Sequence, residues 1–194
     1  MNLQDYQGLA MRTSPEGHDR ILNGCLGLVG ETGEIVDILK KWRFQSGGLM
    51  SFPKEKLIEE CGDVLWYCAE LATGLEEDLA AIYNKASFEF DDMRELNEEA
   101  PAEIFADRIA VAASRPFLTQ DKPSTKNEIW IAVRKAELKA DIIGILSMIR
   151  DFLEIHCSSS LSDAMERNIE KLRKRYPEGF DPERSLHRNE ETHE

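Results

Sequence analysis

The fold is decided by two stretches of the chain, GCLGLVGETGEIVDILKKWRF (residues 24–44) and KEKLIEECGDVLWYCAELATGL (residues 54–75). In both stretches apolar residues recur every three or four positions, which is the period of an amphipathic α-helix. The segment between them, QSGGLMSFP, carries glycine, serine and proline, which end one helix and start the next. The two stretches therefore predict a pair of helices joined by a turn.

The helical period continues along most of the chain, and no segment alternates with the period of two that a strand requires. We therefore predict an all-α fold, an antiparallel helical bundle. The predicted helices cover residues 3–11, 19–44, 51–75, 77–97, 102–113, 127–156 and 161–176. Residues 115–127 form the most loop-like segment. We expect one domain over residues 1–188 and a frayed tail at 189–194.

The composition excludes several classes of protein. The chain has 194 residues and a net charge of −13, which argues against a nucleic-acid polymer as partner because such binders neutralise phosphates with Lys and Arg. No apolar run approaches the roughly 20 residues that cross a bilayer, and the first residues lack the apolar core of a signal peptide. The four cysteines form no CxxC pair, which favours a reducing cytoplasm and buried thiols.

Two carboxylate pairs, Glu31-x-x-Glu34 and Glu60-x-x-Asp63, are the most informative pattern. Residues three apart lie on the same face of a helix, so each pair presents two carboxylates side by side. Glu34 lies about 15 Å before the end of its helix and Glu60 about 12 Å into the next one. In an antiparallel hairpin the two pairs therefore reach nearly the same level, and four carboxylates converge.

Such convergence is unfavourable unless a cation lies among the carboxylates. An all-oxygen site suits Mg²⁺, or Mn²⁺ as a substitute, better than zinc. A di-iron centre, which uses Glu-x-x-His motifs on bundle helices, is the weaker alternative. The other alternative is that the pairs arose by chance among 37 acidic residues and are solvated. Their apolar surroundings favour the metal site.

Basic and aromatic residues near these pairs are candidates for substrate contacts. Trp66 and Tyr67 follow Asp63 by one turn and offer a stacking surface, or form part of the core. The basic residues are candidates for phosphate contacts, or favourable charges at helix C-termini. They are Lys40, Lys41 and Arg43 after the first pair, and Lys171, Arg173, Lys174 and Arg175 in the last helix.

Glycines recur at every third position of the second helix, at 24, 27, 30 and 33. Each costs roughly 1 kcal/mol relative to alanine inside a helix. Their recurrence suggests that this helix packs very closely against another helix or a ligand.

The stretches NGCLGLVGETGEIVDILKKW, KEKLIEECGDVLWYCAELA and NIEKLRKRYPEGF resemble the MazG-like family of all-α nucleoside triphosphate pyrophosphohydrolases. The resemblance covers residues 3–75 and 161–188, and the family signature of ExxE, a spacer and ExxD is present. It implies Mg²⁺-dependent hydrolysis of (deoxy)nucleoside triphosphates between the α and β phosphates, a role in nucleotide metabolism and a homodimer or homotetramer.

Carried over by position, the resemblance assigns each candidate residue a role. Glu31, Glu34, Glu60 and Asp63 would be the catalytic metal ligands. Trp66 and Tyr67 would contact the nucleoside, and Asn168, Lys171 and Arg175 would approach the phosphates. Two alternatives remain open: a dUTPase-like all-α enzyme, and a helical interaction module that hydrolyses nothing.

Residues 76–160 form an acidic helical insertion where short relatives have a turn. From Glu76 to Arg108 the chain carries 11 acidic and 3 basic residues. The segment that begins at Asp141, with Glu137 four residues before it, leads into the last helix much as the segment that begins at Asp63 does in shorter relatives. The insertion is either a degenerate partial repeat that replaces contacts made elsewhere by a second subunit, or an unrelated helical insertion covering an edge of the bundle.

Overall fold

The computed structural model describes residues 1–47, 49–84, 100–119 and 128–186. Every regular element in these ranges is helical, which confirms the predicted all-α class. The α-helices are α1 (Leu3–Ala10), α2 (Arg20–Lys40), α3 (Lys54–Gly74), α4 (Leu79–Asn84), α5 (Ala102–Thr119), α6 (Glu128–Phe152), α7 (Leu161–Arg175) and α8 (Pro182–Leu186). A 3₁₀ turn, Met11–Thr13, follows α1, and π-helical turns end α2 and α6, at Lys41–Gln45 and Leu153–Cys157.

One predicted boundary is wrong. Helix α5 does not stop at Ala113 but continues through Pro116 to Thr119. A proline lacks the N–H of one helical hydrogen bond and crowds the carbonyl four residues earlier, but the chain remains helical when other contacts offset that cost. The second half of the predicted helix 77–97 and the predicted tail at 189–194 lie outside the described residues.

Helices α2 and α3 form the predicted antiparallel hairpin. The side chain of Asp19 begins α2 by accepting a 3.0 Å hydrogen bond from the backbone N–H of Leu22. Leu28 and Ile35 of α2, with Leu57 and Leu65 of α3, are almost completely buried where the two helices pack. Burial of such side chains contributes about 1.5–3 kcal/mol each, so packing rather than helix propensity holds the hairpin together.

The glycine run is explained by close packing at two of its four positions. A Cβ atom on Gly24 would lie 3.1 Å from the Cβ of Leu71, and one on Gly27 would lie 2.0 Å from the ring of Tyr67. At Gly30 and Gly33 an added Cβ would meet nothing within 4 Å. The first two glycines therefore let α3 approach α2, whereas the last two lie on an open surface.

The inserted segment contributes a second pair of packed helices. Helix α5 packs along α2 and also against α6. The rings of Phe105 and Phe152, both fully buried, meet edge to face with centroids 5.7 Å apart in this interface. Helices α1 and α7 both pack on α3, so α3 lies among α1, α2 and α7. No helix in the described ranges is long and apolar enough to cross a bilayer.

Candidate metal centre

The hairpin brings three of the four predicted carboxylates together. Glu31 of α2 and Glu60 and Asp63 of α3 each offer an oxygen atom, and these atoms lie within 4.8 Å of one another. The three side chains are half-buried. Within the described ranges this is the one group of acidic, histidine or cysteine side chains close enough to share a metal ion. The spacing argument from the sequence therefore predicted the register of the hairpin correctly.

Glu34 does not join this cluster. It lies one turn beyond Glu31 on α2 and is exposed to solvent. The hydrogen bond with Asp37, with a smaller contribution from the charge of Glu34, raises the pKa of Lys41. Lys41 itself contacts Asp37, 2.5 Å from its carboxylate, and lies apart from the three clustered carboxylates. The sequence placed Glu34 on the correct helix, but its side chain faces solvent in this structure.

The clustered carboxylates repel one another. Burial, followed by the charges of Asp63 and Glu31, raises the pKa of Glu60 from 4.5 to about 7, and the nearby Lys171 partly offsets the rise. Glu60 resists ionisation at neutral pH because it is partly buried and because Lys171 does not fully compensate the negative charges of Asp63 and Glu31. Its three oxygen donors match the ligand preference of Mg²⁺ and Mn²⁺. The residues present therefore fit a divalent cation.

Two residues expected to contact phosphates bind Asp63 instead. The amide nitrogen of Asn168 donates a 2.8 Å hydrogen bond to one Asp63 oxygen, and the Lys171 amine lies 2.5 Å from the other. Lys171 also contacts Glu59 at 3.3 Å. Both side chains come from α7, which packs on α3 beside the cluster. Their observed contacts hold a candidate metal ligand in place.

A pocket opens beside the cluster and is lined by Glu31, Asp63, Trp66, Tyr67 and Arg175, among others. The rings of Trp66 and Tyr67 meet edge to face at 4.9 Å. The indole N–H of Trp66 contacts the backbone oxygen of Ala10 and the hydroxyl of Thr13, which fixes the ring. The predicted aromatic pair and Arg175 therefore share one pocket with two of the three clustered carboxylates.

Sequence reasoning missed a buried ionic network next to this pocket. The Glu70 side chain has no exposed surface, and it contacts Arg20 at 2.9 Å and His18. Asn23, which lines the pocket, lies 3.5 Å from the same carboxylate. The signal was present in the sequence, because Glu70 is an acidic residue inside the apolar run of α3, one turn after Trp66.

The partial repeat predicted around Glu137 and Asp141 forms no second metal centre among the described residues. Glu137 pairs with Arg134 at 2.8 Å, and the buried Asp141 pairs with Arg115 at 3.3 Å. Arginines therefore supply the positive charge that a metal ion would supply elsewhere.

Comparison with known proteins finds a phage protein that is similar to part of this chain. The chain is 41% identical over 78 residues to the Gene 37 protein of Mycobacterium phage L5. The match covers 40% of this chain and 66% of the relative, just under two thirds of its length. No protein-family model and no solved structure matches the chain.

Proposed function

We propose that this protein is a Mg²⁺-dependent nucleoside triphosphate pyrophosphohydrolase, which releases a nucleoside monophosphate and pyrophosphate. The observation that carries the proposal is the convergence of Glu31, Glu60 and Asp63 beside a pocket that also holds an aromatic pair and an arginine. A nucleoside triphosphate bound to a divalent cation has charged phosphates at one end and a planar base at the other. The pocket offers a complementary group for each.

The chain's own residues have distinct roles in this proposal. The three clustered carboxylates would hold the cation, and Glu34, which faces solvent one turn away on the same helix, would have to turn inward to serve as the fourth ligand. A cation bound there neutralises phosphate charge and lowers the pKa of a coordinated water. Trp66 and Tyr67 contact the nucleoside, and Arg175 approaches the phosphates as a charge-assisted donor.

The proposal also includes a cellular location and an oligomeric state. We place the activity in the cytoplasm, where nucleoside triphosphates are present. We propose a homodimer or homotetramer, which is supported by a stripe of exposed apolar residues on α2. Leu22, Leu26 and Val29 are 38%, 53% and 42% exposed and follow one another on one helix face.

The experiment is product analysis with a panel of all (deoxy)nucleoside triphosphates, dUTP included, in the presence of Mg²⁺ or Mn²⁺. We expect monophosphate and pyrophosphate to appear together without a diphosphate intermediate. Asp63→Asn keeps the shape of the side chain but removes its charge, and should lower turnover by at least about 100-fold. Glu55→Gln, in the exposed first turn of α3 and paired with Arg167 rather than with the cluster, is the matched control and should retain activity.

The outcomes separate the candidate functions. Turnover of dUTP alone would favour a dUTPase-like enzyme over a general pyrophosphohydrolase. Absence of turnover with every nucleotide and both metals would overturn the proposal and favour a non-catalytic interaction module. Equal turnover by wild type and Asp63→Asn would leave an enzyme but overturn the assignment of its metal site.

A further inference from the structure

The phenol of Tyr6, on α1, connects to the candidate metal site through a single buried side chain. Its oxygen lies 2.9 Å from the amide oxygen of Asn168 and 3.2 Å from the backbone oxygen of Gly62. Tyr6 has no exposed surface and Asn168 is only 3% exposed. Solvent therefore does not compete for these hydrogen bonds.

The direction of this chain of hydrogen bonds is fixed from the carboxylate end. The NH₂ group of Asn168 faces the carboxylate of Asp63 and donates a hydrogen bond to it. The amide oxygen of Asn168 then faces Tyr6, whose hydroxyl must donate. Burial, with the charge of Asp63, raises the pKa of the Tyr6 phenol well above its usual value, so the hydroxyl keeps its proton.

Helix packing sets the position of the connecting side chain. A Cβ atom at Gly62 would lie 3.0 Å from the Cβ of Asn168 and 3.1 Å from the backbone oxygen of Ala164. Glycine at position 62 therefore allows α7 to approach α3 closely enough for Asn168 to reach Asp63. With Asn168 on one oxygen of Asp63 and Lys171 on the other, the carboxylate has little freedom to rotate.

We infer that Tyr6 is a positioning residue for the candidate metal site, and that it acts by orienting Asn168, which in turn orients Asp63 toward the cation. This inference rests on the proposed metal site. Partners that orient a metal ligand from outside the coordination shell typically change metal affinity by 10- to 100-fold when they are removed. Tyr6→Phe removes a single oxygen atom and retains the buried ring.

The test measures binding of Mn²⁺ to the full chain by the electron paramagnetic resonance signal of the free ion. We expect Tyr6→Phe to weaken binding by about tenfold. Tyr83→Phe is the matched control, because its hydroxyl contacts Arg150 at 3.3 Å, away from the site. It should bind Mn²⁺ as wild type does, even if it loses some thermal stability.

A double-mutant cycle tests whether Tyr6 acts through Asn168. If it does, Tyr6→Phe combined with Asn168→Ala should bind Mn²⁺ no more weakly than Asn168→Ala alone. Additive losses, or wild-type affinity in Tyr6→Phe, would overturn the inference while leaving the metal site in place. Absence of Mn²⁺ binding by the wild type would overturn the proposed function and this inference together. If Tyr6→Phe does not fold, Asn168→Ala alone must weaken binding by at least tenfold for the inference to stand.

Discussion

Replacing Glu60 by glutamine should make the metal-free protein more stable at high pH while removing its affinity for the cation. The pKa of Glu60 is raised from 4.5 to about 7 in the folded chain, with burial as the main cause. The folded state therefore holds a proton that the unfolded chain releases between these two values. As the pH rises through this window, the wild type loses stability that the neutral glutamine variant retains.

The magnitude follows from the size of the shift. A rise from 4.5 to about 7 corresponds to about 3.4 kcal/mol at 1.36 kcal/mol per unit. Because Glu60 is only half-buried, screening by solvent reduces the gain that we expect to about 1.5 kcal/mol. For a domain of this size that gain raises the melting temperature by about 3–6 °C.

The assay is urea unfolding with a chelator at pH 4.5 and at pH 8. Wild type and Glu60→Gln should be equally stable at pH 4.5, and the variant should be more stable at pH 8. Glu55→Gln, at an exposed position that pairs with Arg167, should show no such pH-dependent gain. Excess Mn²⁺ should reverse the order at pH 8 because it stabilises only the protein that binds it. Equal stability of wild type and Glu60→Gln at pH 8 would refute the argument that burial and the neighbouring carboxylates keep Glu60 protonated in the folded chain.

Two further predictions concern α2. Gly30→Ala should stabilise the protein by about 1 kcal/mol because its Cβ meets open space, whereas Gly27→Ala should cost about 1–3 kcal/mol because the Tyr67 ring must move. Urea unfolding measures both, and equal gains would contradict the close contact at Gly27. Leu26→Glu should lower the mass measured by sedimentation equilibrium, since it places a charge on the exposed apolar stripe. An unchanged mass would exclude that stripe as the interface.

The helices and the register of the hairpin follow from local signals. The period of apolar residues in α2 and α3, and the breaker between them, are properties of neighbouring residues. Counting residues from the turn places Glu31 opposite Glu60 and Asp63 because the rise per residue of a helix is constant. The same reasoning ended α5 too early, at Ala113. The cost of Pro116 inside a helix is a local property, whereas the packing of α5 on α2 involves residues far away in the sequence.

Side-chain orientation and contacts between distant parts of the chain did not follow from the sequence. Glu34 follows Glu31 by three residues on α2, yet its side chain is exposed to solvent whereas that of Glu31 is half-buried. Lys171 and Asn168 have the charge and polarity that a phosphate site needs, which equally suit binding a carboxylate. Tyr6 is an apolar position in the pattern of α1, and only the packing of α1 and α7 on α3 places its hydroxyl next to Asn168.

The hydrogen bond between Asn168 and Asp63 joins residues 105 positions apart, and the inserted helices lie in that interval. The entropy lost on closing a loop grows only with the logarithm of its length. Reducing the interval to about 20 residues would therefore recover only about 1.5 kcal/mol. Burying Phe105 and Phe152 alone offsets that amount. Loop-closure entropy therefore places little constraint on how many helices lie between α3 and α7.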